Sequence, residues 1–122
     1  MKKITLLFLL ISSIGFAQFT TTPSPAIANG TVTLNFNKTG TPLAAYSGTL
    51  YAHIGLTVNG TRWQNVKGSW GNNSTQPALS LVSGSNYKLE ITPDLYAFFG
   101  VPTSSSITEI CVVIRNDEPW QV

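Results

Sequence analysis

The chain has 122 residues, of which 43% are hydrophobic and 10% are charged, with seven basic against five acidic side chains. This length suits one domain with a single core. Two of the basic residues, Lys2 and Lys3, lie at the very N-terminus, and the other five are scattered among the five acidic ones. No basic patch remains to neutralise phosphates, so the composition excludes nucleic acid as the expected partner.

Residues 1–17 have the pattern of a secretory signal peptide. A short basic start precedes an apolar run over residues 4–14, and residues 15–17 (GFA) offer small side chains where signal peptidase reads them. The run is shorter than the ~20 residues that cross a bilayer. We predict cleavage before Gln18, which leaves 105 of the 122 residues with no net charge. The mature chain is expected to be secreted, periplasmic or at the cell surface, with no membrane contact.

Period-two alternation dominates the rest of the chain. Residues 18–25 read as an extended Thr/Pro leader because proline fixes φ and lacks a ladder donor. A module follows over residues 26–122, and Asn59-Gly60 predicts a tight turn within a hairpin over residues 50–67. Alternating apolar residues predict strands at 32–36, 50–58, 62–67, 79–81, 87–91 and 107–114.

One short helix is expected before the last strand. Thr92 is the predicted N-cap and Pro93 the first helical residue. Gly100 and Pro102 end the helix, which leaves one or two turns over residues 95–99.

Six or seven short strands without a βαβ unit predict an all-β fold, an immunoglobulin-like antiparallel β-sandwich. The last strand runs into a predicted turn at residues 115–119, and only residues 120–122 follow. A sandwich normally closes that edge with a return strand. The pattern therefore indicates a module that lacks its last strand, as the front piece of a longer protein or a truncated reading frame that aggregates through the open edge.

Cys111 is the single cysteine, so no internal disulfide forms, and we expect it to be a small buried or half-buried filler rather than a nucleophile. One Cys and His53 as the one His argue against a zinc site, and no acidic cluster indicates calcium. No metal and no cofactor are expected.

Several segments together resemble a known family, the N-terminal module of secreted α-amylase-type proteins from Bacteroidetes, related to starch-binding proteins of the Sus type. The resemblance covers nearly all of residues 20–116. The segments that carry it are residues 50–58 (LYAHIGLTV), 63–71 (WQNVKGSWG), 87–93 (YKLEITP), 96–102 (YAFFGVP) and 110–116 (ICVVIRN).

The resemblance implies an immunoglobulin-like sandwich that sits beside a catalytic barrel in a longer parent protein and binds α-glucan or a related polysaccharide. Sus-type surface binders are lipoproteins, whereas no Cys follows Ala17 here. The expected location therefore moves from membrane-anchored to secreted. The chain also ends where the last hairpin of the family continues.

A sugar-binding surface needs flat aromatic rings for the C–H face of the sugar and amides for its hydroxyls. Trp63 and Trp70 flank a polar loop rich in amides, and the hairpin brings outward residues of the preceding strand towards Trp63. The candidate substrate-binding residues are Trp63, Trp70, Tyr51, His53, Gln64, Asn72 and Asn73.

Structural roles for the same aromatic residues stay open. Trp63 is either a core residue or a ligand platform, and Trp70 lies in a Gly/Asn loop that favours exposure. His53 on an outward face is also a common cross-strand neighbour. The second aromatic group, residues 96–99, is expected to plug one end of the sandwich.

No catalytic residues are predicted. Glycoside hydrolysis needs a carboxyl pair across the scissile bond, and each acid here has a structural explanation. Glu90 and Glu109 are the one conceivable cross-strand pair. No nucleophile-elbow sequence accompanies His53.

Two functions from different classes follow. The first is a non-catalytic carbohydrate-binding module of a secreted polysaccharide-degrading system. The second is a structural immunoglobulin-like spacer that packs against a glycoside hydrolase domain and has no sugar site of its own.

Overall fold

A computed structural model describes residues 8–10 and 18–117, and in this part of the chain two four-stranded sheets and one short helix form. Predictions for residues 1–7, 11–17 and 118–122, including most of the signal peptide and the end of the last turn, lie outside the described residues. The elements are β1 (Phe8–Leu10), β2 (Phe19–Thr22), β3 (Val32–Asn37), β4 (Tyr51–Val58), β5 (Thr61–Gln64), β6 (Ser80–Ser83), β7 (Asn86–Ile91), α1 (Leu95–Phe99) and β8 (Ile107–Arg115).

The strand order confirms an immunoglobulin-like sandwich. One sheet has the order β2-β3-β7-β6, and the other has the order β1-β8-β4-β5. The chain changes sheet between β1 and β2, between β3 and β4, between β5 and β6, and again between β7 and β8. From β2 onwards this is the order of strands A-B-E-D facing C′-C-F in an immunoglobulin domain. Among the described strands, every pairing is antiparallel except that of β1 with β8.

The core forms between the two sheets because alternate residues of each strand point inward. Val32 and Leu34 of β3 are fully buried, as are Ile54 and Leu56 of β4 and Ile110 of β8. Leu95 and Phe99 of α1 are also buried, and Tyr96 and Phe98 pack on the same core. The second aromatic group thus closes one end of the sandwich, as the sequence predicts.

The predicted hairpin forms around Asn59 and Gly60, whose φ angles are 49° and 86°. Asn tolerates the left-handed region better than other side chains, and glycine has no Cβ to clash there. The Asn59 side chain also accepts a 2.9 Å hydrogen bond from the backbone N–H of Ser106. The turn is therefore anchored to the segment that leads into β8.

The sandwich begins earlier than the sequence predicts. Residues 18–25 were expected to be a leader outside the module, yet Phe19–Thr22 pairs along β3 as an edge strand. The Phe19 ring packs 5.1 Å from that of Phe36. The prolines that suggested a leader follow the strand at positions 23 and 25, where they do not interrupt its ladder.

Two local predictions need correction. The N-cap of α1 is Asp94 rather than Thr92, because the Asp94 carboxylate accepts a 2.8 Å hydrogen bond from the N–H of Ala97. The strand expected at residues 79–81 is Ser80–Ser83, in which Leu81 is 61% exposed. Alternation predicted that Leu79 and Leu81 share a buried face, but only Leu79 is buried.

Cys111 is a free thiol with no exposed surface, as the sequence predicts. Its sulfur lies 3.6 Å from the hydroxyl of Thr57. Within residues 8–10 and 18–117, no helix is long and apolar enough to cross a membrane.

Candidate functional site

The outer face of the sheet β8-β4-β5 gathers four of the aromatic candidates. Tyr51 and His53 alternate along β4 with residues of the buried face, so their side chains project away from the core. Trp63 comes from the neighbouring strand β5, and Trp70 comes from the loop after it. We call these four residues, Tyr51, His53, Trp63 and Trp70, the aromatic face.

His53 lies between the two indoles. Its ring centroid is 5.3 Å from that of Trp63 at an interplanar angle of 36°. The centroid of Trp70 is 4.6 Å from His53 at 79°, which is an edge-to-face contact. Trp70 is 45% exposed and Trp63 is half-buried. The sequence left open whether Trp63 is a core residue or a ligand platform. In the structure it packs against His53 on the outer face and remains partly accessible.

An irregular backbone positions Trp63. Its φ of 59° and that of Asn65, 57°, lie in the left-handed region, which costs a non-glycine residue ~1–2 kcal/mol. The chain is held just after this point, since Asn65 donates to the carbonyl of Phe99 over 3.1 Å. Lys67 fixes it further, with its backbone N–H on the Ile54 carbonyl at 2.9 Å and its ammonium on the Phe98 carbonyl at 2.9 Å.

The loop that carries Trp70 is tied together by its own polar groups. The side-chain oxygen of Asn72 accepts from the N–H of Ser74 over 2.9 Å, and the Thr75 hydroxyl accepts from the N–H of Ser69 over 3.1 Å. Gly68 has a φ of 72°, and a Cβ there would collide with the backbone of Thr75. Trp70 is therefore presented by a closed turn.

Next to the aromatic face, opposite Tyr51 in the β4–β8 ladder, lies the fully buried Arg115 of β8. Its Nε–H donates to Oε1 of Gln76 over 2.8 Å, and its Nη2 donates to Oδ1 of Asn73 over 2.6 Å. Its Nη1 donates to the Asn116 carbonyl at 2.9 Å. The guanidinium carbon also lies 5.0 Å from the centre of the Tyr51 ring, a cation–π contact. Arg115 thereby links Tyr51 to the loop that carries Trp70.

The side chain of Gln76 connects Arg115 to His53. Arginine is only a donor, so the amide oxygen of Gln76 must face Arg115 and the amide nitrogen must face the imidazole. That nitrogen lies 2.8 Å from Nδ1 of His53. Because an amide NH₂ group only donates, Nδ1 is the acceptor and the ring proton sits on Nε2.

The same surroundings keep His53 uncharged. Burial lowers the pKa of His53 below its ordinary value of 6.5, and the positive charge of Arg115 lowers this pKa further. A second ring proton on Nδ1 would also face the NH₂ group of Gln76. The aromatic face is therefore built around a neutral imidazole at pH 7.

The amide side chains that were predicted to bind sugar differ in exposure and in hydrogen bonding. Asn73 is half-buried and bonded on both sides, since its Nδ2 also donates to the carbonyl of Asp117 over 2.7 Å. It holds Arg115 in place and is not an open group for a sugar hydroxyl. Gln64 and Asn72 are exposed, with Gln64 donating to the Arg62 carbonyl at 3.2 Å.

Sequence reasoning missed Arg115 and underrated Gln76. Arg115 reads as part of the final turn, 52 positions beyond Trp63, and only the register that pairs it with Tyr51 brings it to this face. Gln76 reads as one of several loop amides. The remaining signal is weak: with Ile110, Val112 and Ile114 facing inward, alternation along β8 puts Arg115 on the outer face.

The acidic residues do not form the conceivable pair. Glu90 lies on β7 and contacts Lys88 at 3.0 Å, whereas Glu109 lies on β8 in the other sheet and accepts from the Thr57 hydroxyl at 2.8 Å. Among residues 8–10 and 18–117, no group of three His, Cys, Asp or Glu residues could hold a metal ion.

Comparison with models of known protein families finds no match for this chain, and comparison with curated proteins finds none either.

Proposed function

We propose that this protein is a non-catalytic carbohydrate-binding module of a secreted polysaccharide-degrading system, with α-glucan as its ligand class. The observation that carries the proposal is the packing of His53 between two indoles, one of them 45% exposed, on an outward sheet face. Aromatic rings supply the flat apolar surface that the C–H face of a sugar needs.

The exposed indole of Trp70 serves as the platform for stacking in this proposal. His53 contacts this indole edge-to-face, and Trp63 packs on His53 in turn. The exposed amides of Gln64 and Asn72 flank the two indoles in sequence and offer donors and acceptors to sugar hydroxyls. Tyr51 contributes at the other end of the aromatic face, where Arg115 holds its ring.

The buried hydrogen-bond network favours binding because it orders the face before the ligand arrives. Arg115, Gln76 and His53 form a continuous chain of hydrogen bonds along the aromatic face. Side chains that are already fixed lose less conformational entropy on binding, which costs ~0.5–1.5 kcal/mol for each mobile side chain.

A single shallow site of this kind is weak on its own. Its use lies in tethering, since a linked domain is held near the polymer at an effective concentration on the order of millimolar. A catalytic domain in a longer parent protein is the partner that benefits.

Affinity electrophoresis through gels that contain soluble starch or glycogen tests the proposal. The full chain is expected to be retarded, and Trp70→Ala is expected to lose that retardation. Leu81→Ala is the matched control, because Leu81 is an exposed apolar residue of the opposite sheet. Equal mobility of the chain and Trp70→Ala with and without glucan, in samples shown to be folded by circular dichroism, would refute it.

The spacer function is supported by one observation. Val113 is 38% exposed and lies opposite His53 in the β4–β8 ladder, so it extends the same face with an apolar side chain. An apolar face of this kind also suits packing against a neighbouring domain. Absence of retardation by every α-glucan in a folded sample would favour this function over sugar binding.

A further inference from the structure

The outer edge of β8 has a composition and a backbone orientation that suit the addition of a strand. On β4, the N–H of Ala52 donates to Pro77 and the carbonyl of Ile54 accepts from Lys67, so these residues bond away from β8. Backbone groups alternate in direction along an antiparallel strand, so His53 and its alternate neighbours bond to β8. Val113 lies opposite His53, and its own neighbours therefore face the outer edge. The residues whose backbone faces that edge are Ile110, Val112 and Ile114.

Part of this edge is already occupied. Phe8–Leu10 runs parallel to β8, with Phe8 opposite Glu109 and Leu10 opposite Cys111. Among the described residues no strand pairs with β8 beyond Cys111 on this side. The pairing shows the direction, the register and the apolar character of a segment that the edge accepts.

A groove continues from the place where this pairing ends. It has a volume of about 280 Å³ and lies between the open edges of the two sheets. Its apolar walls come from β2, β3, the loop after β3 and β8, and none of the described lining residues is charged. The apolar lining residues include Phe19, Phe36, Leu43, Val112 and Ile114.

We propose that the outer edge of β8 and this groove form a strand-accepting site for an extended apolar peptide segment of another polypeptide, running parallel to β8. Backbone hydrogen bonds to Ile110, Val112 and Ile114 hold the segment, and alternate apolar side chains enter the groove. Phe8–Leu10 occupies the first half of the site in the full chain and competes for it. If residues 1–17 are cleaved as the sequence predicts, their removal frees the whole edge. The proposal is independent of sugar binding, which uses the outward face of the sheet.

A labelled peptide tests the site on the full chain. The probe has the sequence Phe-Leu-Leu-Val-Thr-Val-Thr between lysine pairs, so that apolar residues fall opposite Ile110, Val112 and Ile114. A control peptide carries Asp at those three positions. Fluorescence polarisation compares binding to the full chain and to Leu10→Pro. With Ile110 facing β1, the N–H of Leu10 belongs to the parallel ladder, and proline removes that donor.

Leu10→Pro is expected to bind the apolar probe at least ~10-fold more tightly than the unaltered chain, because a tethered competitor acts at an effective concentration on the order of millimolar. The Asp peptide is expected to show no binding. Equal affinity of the two chains for the probe, or equal binding of the two peptides, would overturn the proposal. If Leu10→Pro does not fold, Leu10→Asn takes its place, with an increase in affinity again required.

A second pair of variants tests the edge itself. Added to Leu10→Pro, the change Ile114→Pro removes an N–H that faces the edge and leaves the ladder with β4 in place. It is expected to weaken probe binding by ~10-fold, which corresponds to the loss of about 1.4 kcal/mol. Ile114→Ala removes the same apolar side chain but keeps the N–H, so Ile114→Pro must bind more weakly than Ile114→Ala. Equal binding by the two variants would refute strand addition.

The orientation is measured with a nitroxide on either end of the probe. A label at the peptide N-terminus should broaden the NMR signal of Thr108, and one at the C-terminus should broaden that of Asn116. The reverse pattern would rule out a parallel strand.

Discussion

The Nε–H of Arg115 donates a 2.8 Å hydrogen bond to Oε1 of Gln76. Both side chains are buried, with 0% and 4% of their surface exposed. The other end of the same amide lies against His53, so a buried cation fixes the orientation of a ring on the outer face. One amide thus couples the aromatic face to a cation that is buried on the same side of the sheet.

Gln76→Leu should lower the free energy of unfolding by about 2–4 kcal/mol, because a buried charged donor and the Nδ1 acceptor of His53 lose their partner. Urea unfolding of the full chain measures this. Gln64→Leu is the matched control, since Gln64 is an exposed amide of β5 and its loss should cost no more than ~0.5 kcal/mol. Similar losses for the two variants would show that the buried amide has no special role.

His53 should make stability depend on pH. Its pKa is lowered in the folded chain by burial and by Arg115, so the unfolded chain binds the proton more readily. The stabilisation is therefore complete above the unfolded pKa of ~6.5 and is lost as the pH falls through that value towards the lower folded pKa.

Urea unfolding measured from about pH 8 down to about pH 5 should show this loss. In His53→Phe, which keeps a ring between the two indoles, the same pH interval should show a flatter profile. A slope unchanged by His53→Phe would assign the titration to another group.

Much of the fold was predictable because each strand has two different faces. Val32 and Leu34 alternate with polar residues, as do Leu89 and Ile91, and burial of one face fixes such strands without knowledge of their partners. Asn59-Gly60 was equally readable because the turn needs positive φ at both residues. Because these signals are local, a single sequence is enough to predict the strands and the turn.

The aromatic residues of the candidate site were predictable from the sequence, but the residue and the backbone conformation that hold them in place were not. Tyr51, His53 and Trp63 lie on one hairpin, where alternation and a two-residue turn determine which side chains share a face. Arg115 reaches them only through the register of β4 with β8, which depends on packing across the whole sandwich. The left-handed conformation of Trp63 also has no local signature, since a tryptophan rarely adopts it.

Asp94→Ala should lower the free energy of unfolding by ~1 kcal/mol, because it removes the 2.8 Å hydrogen bond to Ala97 at the start of α1. Thr92→Ala should cost less than ~0.5 kcal/mol, as expected for an exposed residue that does not cap the helix. Thermal or urea unfolding of the two variants measures the difference. A larger loss for Thr92→Ala would restore Thr92 as the cap.

Trp63 should show an unusual preference for glycine over alanine. Alanine removes the indole and keeps a Cβ at a φ of 59°, whereas glycine removes both the indole and the strain. Glycine normally costs ~0.5–1 kcal/mol more than alanine within a strand, but here the left-handed backbone reverses the order. We expect Trp63→Gly to unfold at a higher urea concentration than Trp63→Ala, by about 1 kcal/mol in free energy. The same pair of changes at His53, which lacks a positive φ, provides the control, and there alanine should be the more stable. If alanine is also the more stable at position 63, the backbone there is not held in the left-handed region.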